Sequence, residues 1–218
     1  TNAIKKLGPC LVQLYGQGES PMTISCLQQA EHQLGSNQRR PERLRSVGRA
    51  RTDVEVKVFD DNDLEVPLGQ IGEIVTRSDV VMKGYWQDSE ATAETLRNGW
   101  LHTGDVGYLD EDGYLFLMDR SHDMIISGGE NIYSTEVENA LYEHPVVAET
   151  AVVGVPDAKW GEKVKGVVVF AKDQTATEEE LIAFLRERLA GYKIPRLYEF
   201  IDALPRTASG KVQKFKLR

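Results

Sequence analysis

Four short stretches combine residue types and spacings that could do chemistry. Tyr15-Gly16-Gln17-Gly18-Glu19 sets an aromatic ring ahead of two glycines and a carboxylate. A flat base could lie on that ring while the glycine backbone approaches it closely, and Glu19 could hold a Mg²⁺ through oxygen. Trp100-Leu101-His102-Thr103-Gly104-Asp105 places an aspartate after Thr-Gly, at what reads as the start of a strand. A carboxylate there can accept two hydrogen bonds from ribose hydroxyls. The run from Asp119 to Tyr133 mixes charges with the pair Gly128-Gly129, whose backbone could line a narrow ligand channel. Pro205-Arg206-Thr207-Ala208-Ser209-Gly210-Lys211 offers a lysine on a Gly/Ser/Thr loop, suited to a phosphate or carboxylate oxygen. It is not a P-loop, because Pro205 replaces the leading glycine and Val212, not Ser or Thr, follows the lysine. Each stretch alone also has a plainer reading: a strand ending in a glycine turn, an aspartate bonded to its own backbone, a linker before a hairpin, a basic tail.

These stretches must be positioned by the elements between them. Leu11-Val12-Gln13-Leu14-Tyr15 reads as a short buried strand that Gly16-Gln17-Gly18 breaks into a loop. From His32 to Arg45 the chain is polar, with Arg39, Arg40, Pro41, Arg43 and Arg45 as loop signals and little to bury. Residues 48–118 read as β: Val54–Phe59 alternates, Asp60–Asp63 is a turn, and Gly72–Thr76 is a second strand. Val106–Leu109 and Tyr114–Met118 flank Asp110-Glu111-Asp112-Gly113, a hairpin signal. Glu90–Arg97 reads as one or two helical turns. After about residue 120 the period changes. Ser134 or Thr135 can cap a helix running to Glu143, with Thr135 and Glu138 at capping-box spacing and Pro145 ending it. Val146–Val155 and Lys163–Ala171 are strands. Thr177 and Glu180 form a second capping box, for a helix with Leu181, Phe184, Leu185 and Leu189 on one face and Gly191 closing it. Leu197–Ile201 is a short strand.

The 218 residues carry 26 Lys+Arg against 34 Asp+Glu, a net charge of −8, with 41% hydrophobic and 28% charged residues. This is the composition of a globular protein, and its acidity argues against nucleic acid or an anionic membrane as partner. No apolar run approaches the ~18 residues of a membrane span, and the opening residues lack the apolar core of a signal peptide. Two cysteines and four scattered histidines are too few for a disulfide scaffold or a zinc site. A reduced, cytoplasmic setting is the expectation.

In this order, the four stretches resemble the adenylate-forming superfamily of acyl-CoA synthetases, peptide-synthetase adenylation domains and luciferases. Further landmarks extend the resemblance over essentially the whole chain: Gly72-Glu73-Ile74, Met82-Lys83-Gly84-Tyr85-Trp86, Val155-Pro156-Asp157, Trp160-Gly161-Glu162 and Tyr192-Lys193-Ile194-Pro195. The resemblance implies a mixed α/β fold: a β-barrel-like subdomain of a large domain, then a small α+β C-terminal domain. Residues 1–47 would be a remnant of the large N-terminal domain, 48–118 its β-rich subdomain, 119–122 the hinge and 123–218 the mobile C-terminal domain.

It also implies an activity and roles. A carboxylic acid is joined to AMP from ATP, with release of pyrophosphate, and the thiol of coenzyme A then displaces AMP. Tyr15 and Gly16 would face the adenine, Asp105 and Arg120 the ribose or phosphate, and Glu19 the Mg²⁺. Lys211 would be the catalytic lysine of the first step and His122 the hinge. Gly128, Gly129 and Trp160 would contact coenzyme A. Departures are Gly18 where the family has Thr, His122 where it has Asp or Lys, and Ser134 where it has Pro. The phosphate loop and most of the acyl pocket of such enzymes have no counterpart here, so the resemblance implies the C-terminal part of an acyl-CoA synthetase for a fatty or other apolar acid. The Ile125–Tyr133 stretch resembles the CoA-ligase form more than the peptide-synthetase form. The alternatives are a non-catalytic fragment or binding module, or a peptide-synthetase adenylation domain.

Overall fold

A computed structural model describes residues 2–32 and 41–218. The basic-loop reading of Arg39 and Arg40 lies outside them. The chain divides into two units, Thr1–Ser121 and His122–Arg218.

The first unit opens with a short helix, α1 (Asn2–Leu7), and a three-stranded antiparallel sheet of β1 (Gln13–Gln17), β2 (Ser20–Leu27) and β3 (Arg49–Ala50). Gly16 and Gln17 belong to β1, and the turn is Gly18-Glu19. The expected loop over Gly16–Gly18 is therefore only half a loop. Gly16 serves the strand pair itself: a Cβ there would stand 2.4 Å from the Met22 nitrogen, where β2 bulges against β1.

A second sheet has the order β4 (Glu55–Phe59), β5 (Gly72–Arg77), β7 (Trp100–Leu109), β6 (Leu96–Arg97), with β8 (Leu115–Arg120) also paired to β7. The helix α2 (Ser89–Thr95) precedes β6, and the Asp88 carboxylate caps it by accepting the Ala91 N–H at 3.0 Å. The β7–β8 hairpin turns where the Asp-Gly signal lies. The Asp110 carboxylate accepts the N–H groups of Asp112 and Tyr114, and Gly113 takes φ +77°. The two sheets meet where Val47 and Gly48 exchange backbone hydrogen bonds with Leu115, both 2.8 Å. Tyr15, Ile24, Val47, Ile74 and Leu115 fill the space between them. The sheets are curled half-barrels, in a mixed α/β fold as the sequence implies.

In the second unit, β9 (Ile125–Ser127) and β10 (Glu130–Ile132) form a short hairpin beside β12 (Gly161–Phe170) and β11 (Val147–Asp157), with β13 (Leu197–Phe200) parallel to β12. Helices α3 (Ser134–Tyr142) and α4 (Glu178–Arg186) cover one face over Val137, Leu141, Val152, Val168, Leu181 and Leu185. The other face holds Ala151, Val153, Val167, Leu204 and Leu217. Burial on both faces explains why Ala151-Val152-Val153 is an unbroken apolar run.

The Thr177–Glu180 capping box forms with both of its hydrogen bonds, 3.2 and 2.8 Å. That of Thr135 and Glu138 does not form, because Tyr133 is the N-cap of α3. Glu138 instead accepts the Val152 N–H at 2.8 Å and pairs with Lys214 at 2.8 Å, so a half-buried cation and a strand amide displace the local cap. Helix α4 stops at Arg186, and Gly191 opens a separate 3₁₀ turn instead of closing the helix. Among the described residues, no helix is long and apolar enough to cross a membrane.

Candidate functional site

Asp105 does not start a strand; it lies inside β7, in a bulge. Glu73 pairs with Val106 and Val75 with His102, so Thr103, Gly104 and Asp105 stand opposite Ile74 alone. Asp105 is 7% exposed. The Tyr15 hydroxyl donates to its Oδ2 at 2.6 Å and the Gln17 amide to the same oxygen at 2.9 Å. Oδ1 faces Arg120 Nε at 3.4 Å, from a side chain that is itself 56% exposed. One oxygen is thus occupied by neighbours and the other is held beside an exposed cation, able to accept a further hydroxyl.

Tyr15, Asp105 and Arg120 are therefore brought together, and Gly16 adjoins them in β1. The Tyr15 ring packs into the core between the sheets, 7% exposed. Its burial, then the adjacent Asp105 charge, push its phenol well above the ordinary range, so the hydroxyl stays a donor. Gln17 carries no signal beyond its place between two glycines, and Thr103 none beyond its place before Gly-Asp.

Glu19 lies in the β1–β2 turn. Its carboxylate accepts the Tyr85 hydroxyl at 2.7 Å, which raises that phenol's pKa. Glu19, Glu73, Tyr85, Arg97, His102 and Gly104 border a cavity of about 260 Å³. Among the described residues no cluster of three His, Cys, Asp or Glu could hold a metal ion. One carboxylate with one further oxygen suits Mg²⁺, which binds one or two carboxylates and takes its remaining ligands from phosphates and water.

In the second unit, Gly128 and Gly129 are the two central residues of the β9–β10 turn, with φ +65° and +85°. The Gly128 N–H donates to the Trp160 carbonyl at 2.8 Å, and a Cβ on Gly128 would lie 2.9 Å from the indole. The glycine turn and Trp160 are one packed assembly. Arg196 and Lys159 stand 4.7 and 4.6 Å from the indole ring, and the Asp157 carboxylate holds the approach by accepting the N–H groups of Lys159 and Trp160, both 2.9 Å.

Lys211 closes a tight loop. The Thr207 N–H bonds the Lys211 carbonyl at 2.8 Å, the Gly210 N–H bonds the Thr207 carbonyl at 2.9 Å, and Arg206 clasps the Gly210 carbonyl at 2.7 Å. Every one of these fixes backbone. The Lys211 side chain is exposed, without an ion pair among the described residues of its own unit. His122 sits in the 3₁₀ turn Ser121–Asp123 with its side chain 64% exposed.

Residues 1–86 match the family model for the AMP-binding enzyme, and residues 136–211 that for the AMP-binding enzyme C-terminal domain. Feruloyl-CoA synthase of Amycolatopsis sp is 47% identical over 97% of this chain and 41% of its own length. A long-chain-fatty-acid–CoA ligase of Bacillus subtilis is 50% identical over 76% of this chain and 30% of its own. Among solved structures, the o-succinylbenzoate CoA synthetase of Bacillus subtilis in complex with its acyl-adenylate intermediate superposes with a TM-score of 0.89. It is 37% identical, over 100% of this chain and 43% of that one. The chain spans about two fifths of the length of the first of these relatives.

Proposed function

Because the chain belongs to the AMP-binding enzymes, we propose that it works as part of an AMP-forming acid–thiol ligase that makes an acyl-CoA from an apolar carboxylic acid. The observation that carries this reading is the Asp105 carboxylate, with one oxygen tied to Tyr15 and Gln17 and the other poised beside Arg120. Such a group can receive a ribose hydroxyl without reorganising.

In the first half-reaction a carboxylate oxygen of the acid attacks the α-phosphorus of ATP and pyrophosphate leaves. Charge builds on the phosphate and carboxylate oxygens, and Lys211 is the group assigned to them: an exposed ammonium on a loop whose backbone is hydrogen-bonded to Thr207 and Arg206. Asp105 and Arg120 hold the ribose. The Tyr15 ring, expected to carry the base, is packed in the core, so Tyr15 serves the nucleotide through its hydroxyl on Asp105, with Gly16 next to it in β1. Glu19 would hold a Mg²⁺, which neutralises phosphate charge when bound. In the second half-reaction the thiolate of coenzyme A attacks the acyl carbon and AMP leaves. Gly128 and Gly129 present side-chain-free backbone to the pantetheine, beside Trp160. His122 is assigned as the residue that turns between the two steps. The names of the relatives, a feruloyl-CoA synthase and a fatty-acid–CoA ligase, support aromatic or aliphatic apolar acids as the substrate class.

The test is Lys211→Ala in the full-length protein. ATP–pyrophosphate exchange is expected to fall by about 10²–10³, with thioester formation from supplied acyl-adenylate retained. Equal losses in both would make the lysine structural. The 218-residue chain by itself is expected to show no exchange above its own Lys211→Ala control.

A further inference from the structure

We infer that Glu73 is a positioning residue for Asp105, acting through the bulge in β7; the inference rests on the reading of Asp105 as a nucleotide contact. Three residues facing one leave backbone groups that no ladder can pair, and buried groups of that kind must be satisfied by something else. In this bulge four of them are met by side chains. Thr103 Oγ1 donates to the Ile74 carbonyl at 2.6 Å and accepts the Asp105 N–H at 3.1 Å. Gln17 donates to the Thr103 carbonyl at 2.7 Å. The Gly104 N–H goes to Glu73 Oε1 at 3.0 Å. Gly104 itself takes φ +67°, so the chain turns sharply just before Asp105 and needs a restraint at that amide.

Glu73 is the one ionisable side chain in this set, and a carboxylate accepts a backbone N–H more strongly than a neutral oxygen does. Its second oxygen is held in turn. His102 Nδ1–H donates to Oε2 at 2.8 Å from a side chain 2% exposed, and Arg97 Nη2 stands 3.4 Å from the same oxygen. Arg97 is fixed from behind by both oxygens of Asp63, each at 3.1 Å. The far nitrogen of His102 has no hydrogen-bond partner among the described residues, with Asp63 Oδ1 3.8 Å away, so Nδ1 and its bond to Glu73 set where the ring sits. The chain of contacts runs Asp63–Arg97–Glu73–Gly104, one residue from the carboxylate that faces the nucleotide. Glu73, Arg97 and Gly104 border the cavity beside Glu19, but both Glu73 oxygens are taken by Gly104, His102 and Arg97, which makes Glu73 a residue that aims Asp105 and not one that binds.

Amide hydrogen exchange followed by NMR on the 218-residue chain tests this without any turnover. Glu73→Ala is expected to speed exchange at Gly104 and Asp105 by about tenfold or more, the loss of one net hydrogen bond, while the β11–β12 amides of the second unit stay unchanged. Glu73→Gln keeps an acceptor for Gly104 and loses the charge that gathers His102 and Arg97; it is expected to give a smaller rise at the same two amides, and it is the variant to read should alanine fail to fold. Unchanged protection at Gly104 and Asp105 overturns the inference. In the full-length protein, Glu73→Ala is expected to raise the KM for ATP by about tenfold with a smaller change in kcat, and glutamine to recover most of it. Lost protection with an unchanged KM for ATP would uphold Glu73 as the brace of the bulge and overturn Asp105 as a nucleotide contact.

Discussion

Arg218 donates a 2.6 Å hydrogen bond to the backbone carbonyl of His122 and stands 3.4 Å from Asp123. The segment it ends is fastened at two further points. Lys214 reaches Ser134 at 2.6 Å and Glu138 at 2.8 Å, and Lys165 reaches the Leu217 carbonyl at 3.0 Å, with Leu217 buried. Lys211 heads the same segment, so the turn holding His122 and the loop holding the lysine are tied into one piece of the second unit.

If His122 turns between the half-reactions, its carbonyl moves with the peptide plane it shares with Asp123, and Arg218 clamps that plane to the second unit. Arg218→Ala is therefore expected to change the ratio of the two half-reaction rates in the full-length protein by about tenfold, the weight of one charge-assisted hydrogen bond. Arg218→Lys should restore part of it. His122→Pro, which fixes φ near about −65°, should leave adenylation largely intact and cripple thioester formation, and His122→Ala should be mild in both. Separate assays of the half-reactions decide: no change of ratio from either Arg218→Ala or His122→Pro places the hinge elsewhere, and equal losses mean misfolding.

The two glycines of the β9–β10 turn should differ in cost. Both have positive φ, which costs an alanine roughly 1–2 kcal/mol. A Cβ added at Gly129 would have nothing within 4 Å, whereas one at Gly128 would meet the indole of Trp160 at 2.9 Å. Gly129→Ala is expected to cost about 1 kcal/mol and Gly128→Ala about 2 kcal/mol or more, as strain and ring displacement add. Urea unfolding of the two variants, monitored by Trp fluorescence, checks the order.

Gly18 should accept a threonine. Its φ lies outside the left-handed region, and a Cβ would meet nothing within 4 Å. Gly18→Thr is expected to leave stability within about 1 kcal/mol of the native chain. In the full-length protein it should lower the KM for ATP, by supplying a hydroxyl beside Glu19. Precipitation or a loss of more than about 2 kcal/mol on unfolding would show that the turn needs glycine.

Tyr15 sets an alkaline limit. Its phenol is held above the ordinary pKa of about 10 by burial and by Asp105, so above about pH 10 the native state keeps a proton that the unfolded chain gives up. The stabilisation is complete below about pH 10 and is lost as pH rises, at up to about 1.4 kcal/mol per pH unit. Tyr15→Phe should cost about 1 kcal/mol at about pH 8, where Asp105 loses a donor, and should flatten the decline between about pH 10 and 11. Denaturant midpoints across that range provide the comparison; parallel declines in the two proteins would contradict it.

What the amino-acid sequence determined by itself is what a few neighbouring residues decide. Thr177 and Glu180 are three apart and cap α4 as their spacing predicts. Asp110 and Gly113 make their own turn, and the strands Glu55–Phe59 and Gly72–Arg77 follow their apolar patterns. The ordered motifs sufficed for the family. Asn98-Gly99, with φ +53° and +79°, joins β6 to β7; it is a two-residue hairpin signal equally present in the sequence but hidden behind the helical reading of Glu90–Arg97. Tertiary structure alone decided the rest. Tyr15 meets Asp105 across 90 residues, Lys214 meets Ser134 across 80 and Arg218 meets His122 across 96. Glu138, in place for a local cap, took Val152 and Lys214 instead. A polar side chain within reach of several partners takes the ones that burial has stripped of water, and only the packed sheets determine which those are.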